Sequence, residues 1–168
     1  MALIATPGAV DSNSYATLVE ANAYHAQTLN ASAWTAASDA TKETALQWAT
    51  RILDEQVEWI GEISSADQAL RWPRFDVYTR DNVLLDSDSI PVFLKNATAE
   101  LAKQLIASDR TAESSSLGIS ELQVDVVKIV FDKTESKAVL PPAVYNMVKA
   151  YGMASDGSGF STAKLIRA

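Results

Sequence analysis

Ala45, Leu46, Ala49, Ile52, Leu53 and Ile60 recur at helical spacing, and Trp48, Ile52 and Trp59 widen the stripe they form. No other feature constrains the fold as much. An apolar face this broad needs cover on two sides, so the chain must pack helix on helix and make a further contact there. The spacing predicts a helix over 40–56, capped by Ser38 or Asp39. Gly61 marks the end of the region.

Three further helices are expected around it. Thr17 and Glu20 have capping-box spacing and predict a helix over 18–29. Pro91 fits a first helical turn, and Leu94, Ala97, Thr98, Leu101, Ala102 and Leu105 carry that helix to about 108. Pro141-Pro142 opens a short final helix to about 151. Residues 1–16 read as an extended lead-in, and 30–37 as a loop carrying Trp34. Residues 61–90 have no helical period, and Pro73 keeps Trp72 out of α geometry. After a polar linker at 109–118, Leu122, Val124 and Val126 alternate with polar residues, and Val127, Ile129 and Phe131 continue on the opposite parity. That pattern predicts a strand over 122–131, with a bulge or two apolar faces at the parity change. The expected fold class is mainly α: a bundle of three main helices and a short C-terminal helix. A small β strand or hairpin extension at about 117–138 and an extended C-terminal tail complete it. Residues 1–152 form one helical domain in this reading. Gly152, Gly157 and Gly159 release the flexible tail, 153–168.

Composition narrows the function. Of 168 residues, 48% are hydrophobic, enough for one real core, and there is no cysteine. Disulfides and thiolate zinc sites are thereby excluded, and synthesis in a reducing cytosol is expected. No apolar run approaches the ~18–20 residues of a membrane span, and residues 1–10 lack the features of a secretory leader. The net charge of −7 argues against a conventional DNA binder. An acidic wall would still let a polyanion slide past, and a negative surface also keeps a protein in solution. The sole histidine, His25, has no evident catalytic partner and reads as a packing or surface residue. Asp86 and Asp88 lack the rest of a calcium loop, and Gly157-Ser158-Gly159 lacks the lysine of a phosphate loop. No enzyme activity, cofactor or metal is therefore expected. Arg71, Trp72, Arg74, Phe75, Tyr78 and Arg80 form the only cluster of bases and aromatics. Arg71, Trp72, Arg74 and Tyr78 could bind single-stranded DNA by stacking and phosphate contact. Alternatively, Trp72 plugs the core while Arg71 and Arg74 pair with acids of this chain or of a neighbouring copy. The acidic background favours the second reading.

Several segments then fall in a familiar order. Asn13-Ser14-Tyr15 precedes Glu20-Ala21-Asn22-Ala23-Tyr24. Trp34 precedes a helix with Lys42-Glu43-Thr44-Ala45-Leu46 and Ala49-Thr50-Arg51-Ile52-Leu53-Asp54. Gln68-Ala69-Leu70-Arg71-Trp72-Pro73-Arg74 follows, then Ile90-Pro91 and Ala99-Glu100-Leu101-Ala102. Over about 13–150 this series resembles the head–tail connector, or adaptor, proteins of tailed bacteriophages. Some members of that family carry the label of DnaT-like single-stranded-DNA-binding proteins. The resemblance implies a helical subunit, made in the host bacterial cytoplasm, that forms a ring of about twelve copies at the head–tail junction of the virion. Its implied partners are the portal protein, a downstream tail or stopper protein, further copies of itself, and viral double-stranded DNA passing through the channel. Gln68, Leu70, Trp72, Pro73 and Arg74 are the implied structural motif. Physical reasoning adds two candidate contacts. A lone strand leaves unpaired edges and needs a partner, either in this chain or in a neighbouring subunit, so Leu122, Val124, Val126 and Ile129 are candidates for an intersubunit link. Phe160, Leu165, Ile166 and Arg167, on a glycine-rich arm, are candidates for docking on the portal.

Overall fold

The computed structural model describes residues 2–111, 121–124, 127–130 and 139–154, with 121–124 and 127–130 described by their backbone. Its elements in order are α1 (Leu18–Ala26), α2 (Ser32–Ala36), α3 (Asp39–Gln56), β1 (Val57–Trp59), β2 (Glu62–Ile63), β3 (Arg74–Phe75), α4 (Val92–Ala107), β4 (Glu121–Val124), β5 (Val127–Val130), α5 (Pro142–Val148) and β6 (Gly152–Ala154). The chain is mainly helical, as its periodicity predicts. None of the described helices is long and apolar enough to cross a membrane.

The core forms where α3 meets α4, and α1, α2 and α5 pack onto α4. α3 buries Ala45, Leu46, Ala49, Thr50, Ile52 and Leu53. α4 buries Leu94, Ala97, Thr98, Ala99, Leu101 and Ala102, small residues alternating with leucines, so the two helices can approach closely. Local chemistry sets the starts. The Thr17 hydroxyl accepts from the Glu20 amide while the Glu20 carboxylate accepts from the Thr17 amide, which completes the capping box. The Ser38 hydroxyl accepts from Thr41 N in the same way. Pro91 is the N-cap of α4 rather than a residue of its first turn.

Several boundaries differ from those the periodicity predicts. α1 stops at Ala26, where the amides of Gln27 and Thr28 tighten the last turn onto Tyr24 O and His25 O and Asn30 turns the chain with φ +60°. Trp34 lies on the short helix α2 rather than in a loop; it is buried and donates from Nε1 to Asn22 Oδ1 at 2.9 Å. Ile60 is off the α3 face, because α3 gives way at Val57 to β1, and it is exposed. α5 ends at Val148, three residues early. The lead-in is a built strap. Asn13 Oδ1 accepts from Ile4 N at 2.8 Å, Asn13 N donates to Ile4 O at 2.8 Å, and Tyr15 N donates to Thr50 Oγ1 on α3 at 3.2 Å.

Among the described residues the strands form three two-stranded antiparallel pairs. β1 pairs with β6, with Trp59 opposite Gly152 and Val57 opposite Ala154. Gly152 therefore does not release the chain. A Cβ there would lie 2.5 Å from Val57 Cγ1 and 2.9 Å from Glu58 O, so only glycine lets the strands meet. Through Ala154 the start of the expected tail is tied to the body. The 122–131 segment is not a lone strand, because β4 and β5 pair as a hairpin in register Glu121↔Val130 to Val124↔Val127. The parity change marks that reversal, and the partner strand lies in the same chain.

Candidate functional site

The Gln68–Arg74 motif lies in the long connection between α3 and α4 and folds inwards on itself. Gln68 is its internal clamp. Its Nε2 donates to Leu70 O at 2.7 Å and Pro73 O at 3.1 Å, while its Oε1 accepts from Ser65 N at 3.0 Å. Leu70 packs against the core edge. The Trp72–Pro73 bond is cis, and both residues are buried. Trp72 is only 1% exposed. Its ring meets Trp59 and Phe93 edge-on, each at 5.7 Å between centroids, and Phe93 stacks on Tyr151 at 4.0 Å. These four aromatics join the loop to α4 and to the turn before β6.

Arg74 is buried and points into a cage of backbone carbonyls. Its Nε donates to Ile60 O at 2.7 Å, Nη1 to Arg71 O at 3.1 Å, and Nη2 to Gly61 O at 2.5 Å and Trp59 O at 3.4 Å. The expected pairing with acids is therefore corrected, since carbonyls hold the guanidinium fork. Burial lowers its pKa, an effect that Tyr15, Asp54 and Glu62 partly oppose. Gly61 makes the cage possible. Its φ is +73°, and a Cβ there would sit 2.5 Å from Phe75 O.

Tyr15 and Asp54 support the loop from below. The Tyr15 hydroxyl donates to Asp54 Oδ1, and Asp54 Oδ2 accepts from Arg71 N at 3.2 Å. Burial raises the Asp54 carboxyl above the usual range, against the opposing hydrogen bonds from Tyr15 and Arg71. Burial and the neighbouring Asp54 raise Tyr15 well above its ordinary value. Sequence reasoning did not single out this pair. Its only signal was the occurrence of Asn13-Ser14-Tyr15 and the helix sequence ending in Asp54 in one ordered series.

The same connection also exposes several apolar side chains among charged ones. Tyr78 faces Leu84 across an isolated antiparallel bridge, held by Thr79 N to Val83 O and Leu85 N to Val77 O, both 2.8 Å. This is a non-hydrogen-bonded pair, the kind that brings side chains closest. Val77 and Leu85 turn inwards, while Tyr78 and Leu84 are 45% and 58% exposed. Ile63, Phe75 and Val83 are exposed on the same connection. Phe75 and Tyr78 belong to the cluster read in the sequence, whereas turn-rich, acidic surroundings hid Ile63, Val83 and Leu84.

The predicted DNA-binding set is thus split. Arg71 and Tyr78 reach solvent, as do Phe75 and Arg80 of the wider cluster, whereas Trp72 and Arg74 do not. Arg71 makes none of the ion pairs found among the described residues. Leu122, Val124 and Ile129 lie in the β4–β5 hairpin. Val126, Phe160, Leu165, Ile166 and Arg167 lie outside the described residues, as does Gly157-Ser158-Gly159.

His25 is a packing residue. It is buried against Trp34, with ring centroids 4.6 Å apart, and its Nε2 donates to Ala99 O at 3.0 Å. Burial lowers its pKa. Asp86 Oδ1 accepts from Asp88 N at 3.1 Å within its own turn. Among the described residues no group of acids and histidines could hold a metal ion.

Fold and site together define a small helical protein whose most distinctive motif is architectural, within a connection that exposes apolar side chains among charged ones. The chain belongs to the family described as "Putative DnaT-like ssDNA binding protein", whose pattern it matches over residues 1–168. Neither the curated proteins nor the solved structures contain a match to it.

Proposed function

We propose that this chain is a non-enzymatic structural subunit of the head–tail connector ring of a tailed bacteriophage, sitting beneath the portal around the channel that DNA traverses. One observation supports this reading above the others. The Gln68–Arg74 motif, the centre of the resemblance to connector proteins, spends the Gln68 and Arg74 side chains on backbone carbonyls of its own connection, on which Phe75, Tyr78, Val83 and Leu84 are exposed. Exposed apolar side chains on an acidic protein suit contact with another protein surface. Head-to-tail contacts between identical copies close into a ring when the rotation permits. Among the described residues β4 and β5 pair only with each other, which leaves an outer edge on each for such contacts, and the 153–168 arm with Phe160, Leu165, Ile166 and Arg167 is the portal anchor in this scheme. Electron microscopy of the chain, alone and mixed with portal-bearing heads, is expected to show ring-shaped particles. A chain that stays monomeric in both samples contradicts the proposal.

A second reading is binding of single-stranded DNA, and the family's description speaks for it directly. With Trp72 and Arg74 buried, it would use Arg71, Phe75, Tyr78 and Arg80. The net charge of −7 makes such binding weak and salt-sensitive. Fluorescence anisotropy with a labelled oligonucleotide at low salt decides it. Binding that falls on Tyr78→Ala supports this reading, and no binding removes it.

A further inference from the structure

A polar cleft of about 450 Å³ opens where the lead-in strap, the C-terminal half of α3 and the Gln68–Arg74 loop meet. Ser12 and Asn13 line it from the strap, Arg51 and Glu55 from α3, and Leu70 and Arg71 from the loop. Arg51 is committed to Glu55, at 2.7 Å. Arg71 is exposed and makes none of the ion pairs among the described residues. The cleft thus offers an unpaired guanidinium next to a carboxylate. The connection carries the converse. Its chain reverses at 80–82, where Asn82 has φ +58°, Asn82 N donates to Thr79 O at 3.0 Å and Thr79 N to Val83 O at 2.8 Å. Arg80 and Asp81 sit on this turn, both exposed and neither in an ion pair among the described residues. We infer that the 80–82 turn of one copy of the chain seats in the polar cleft of the next copy, with Asp81 on Arg71 and Arg80 beside Glu55. The inference rests on the connector reading and names the contact between its subunits.

Three observations select a second copy as the occupant. The first is that the turn does not line the cleft of its own chain. The second is charge. An acid beside a base meets a base beside an acid, and every other juxtaposition of the four sets like charges together. A strand of nucleic acid, negative at each phosphate, would meet Asp54 and Glu55 in the cleft as well as Arg71. The third is apolar surface. Val83 and Leu84 follow the turn and are exposed, and Ala69 and Leu70 lie in the cleft wall. Bringing the two together removes both from water.

Charge reversal with complementation tests this. Arg71→Glu and Asp81→Arg are made separately in the full chain, and each is followed by sedimentation velocity alone and in an equimolar mixture. Both side chains are exposed, so thermal melts should match the wild type. The turn lies outside the core, so the Asp81→Arg arm stays decisive even if Arg71→Glu folds poorly. Each variant alone is expected to self-associate about tenfold more weakly than the wild type, because like charges then meet. The mixture is expected to recover most of that loss, since every junction of an alternating array again pairs opposite charges. Self-association that ignores both reversals overturns the inference. So does a mixture as weak as its parts, because mixing cannot rescue a contact made within one chain. Oligonucleotide binding abolished by Arg71→Glu would give the cleft to nucleic acid and overturn it too. Rings that ignore both reversals leave the connector reading standing, whereas a wild-type chain that never self-associates, with portal-bearing heads or without, overturns both.

Discussion

The helices and the α3–α4 connection are held together by opposite means. Between α3 and α4, many small and aliphatic side chains each contribute a little, and local caps fix the ends. Across residues 57–90, regular structure is limited to short strands and a bridge, and a few side chains carry the shape: Trp72, Arg74, Gln68 and the Tyr15–Asp54 pair. A distributed interface loses stability in proportion to what is removed. A clamped loop is brittle, because each clamp satisfies several backbone groups at once.

The sharpest way to break the comparison is Trp72→Ala. It empties the junction between loop and core and is expected to cost about 3–5 kcal/mol in urea unfolding. A loss as small as that of a surface substitution would mean that the loop is not built on this ring. Arg74→Met comes next, at about 2–3 kcal/mol, because it leaves the carbonyls of Ile60, Gly61 and Arg71 without their donor. Its amide hydrogen exchange should rise across 57–90 while α3 and α4 stay protected; uniform loss of protection would erase the distinction between the regions. Arg74→Lys should rescue little, since an ammonium cannot reproduce the fork. Gly152→Ala tests the strand that closes the loop's base. Its Cβ would press on Val57 and Glu58, with an expected cost of about 1–3 kcal/mol. Thr17→Ala removes a local cap from the helical region and should cost about 1 kcal/mol.

The smallest effect is electrostatic and belongs to the helical region. Burial holds the His25 pKa below its ordinary 6.5, with Glu100 and Lys103 acting in opposite directions beside it. The folded state thus binds the proton less readily than the unfolded chain. Stability should fall as pH drops below about 6.5 towards the folded value. His25→Gln, which keeps a donor for Ala99 O, should flatten that slope in thermal melts recorded across this range. Asp54 has the opposite sign and a lower window. Its raised pKa makes stability fall as pH climbs from about 3.8 towards the folded value.

The contrast between the two regions also explains what could be read in the sequence. Helix starts were legible because Thr17, Glu20 and Ser38 act within one turn, and the α3 and α4 faces were legible because their period is local. Trp34 escaped as a helix residue because α2 is a single short turn, fixed by the contact of its indole with Asn22 twelve positions away. The partners of Arg74 were illegible for a related reason. They are backbone carbonyls at 59–61 and 71, and no side-chain pattern announces them. The β4–β5 reversal was visible as a parity change, and a bulge gives the same signal.

The connector proposal has the connection around the Gln68–Arg74 motif meet other protein subunits, and the family's description has it meet single-stranded DNA. Hydrogen exchange over residues 74–85 tests this most directly, with the chain free, mixed with portal-bearing heads, and mixed with a single-stranded oligonucleotide at low salt. Slower exchange over this segment is expected with the heads, and no change with the oligonucleotide. Protection by the oligonucleotide, with none on the heads, would contradict it.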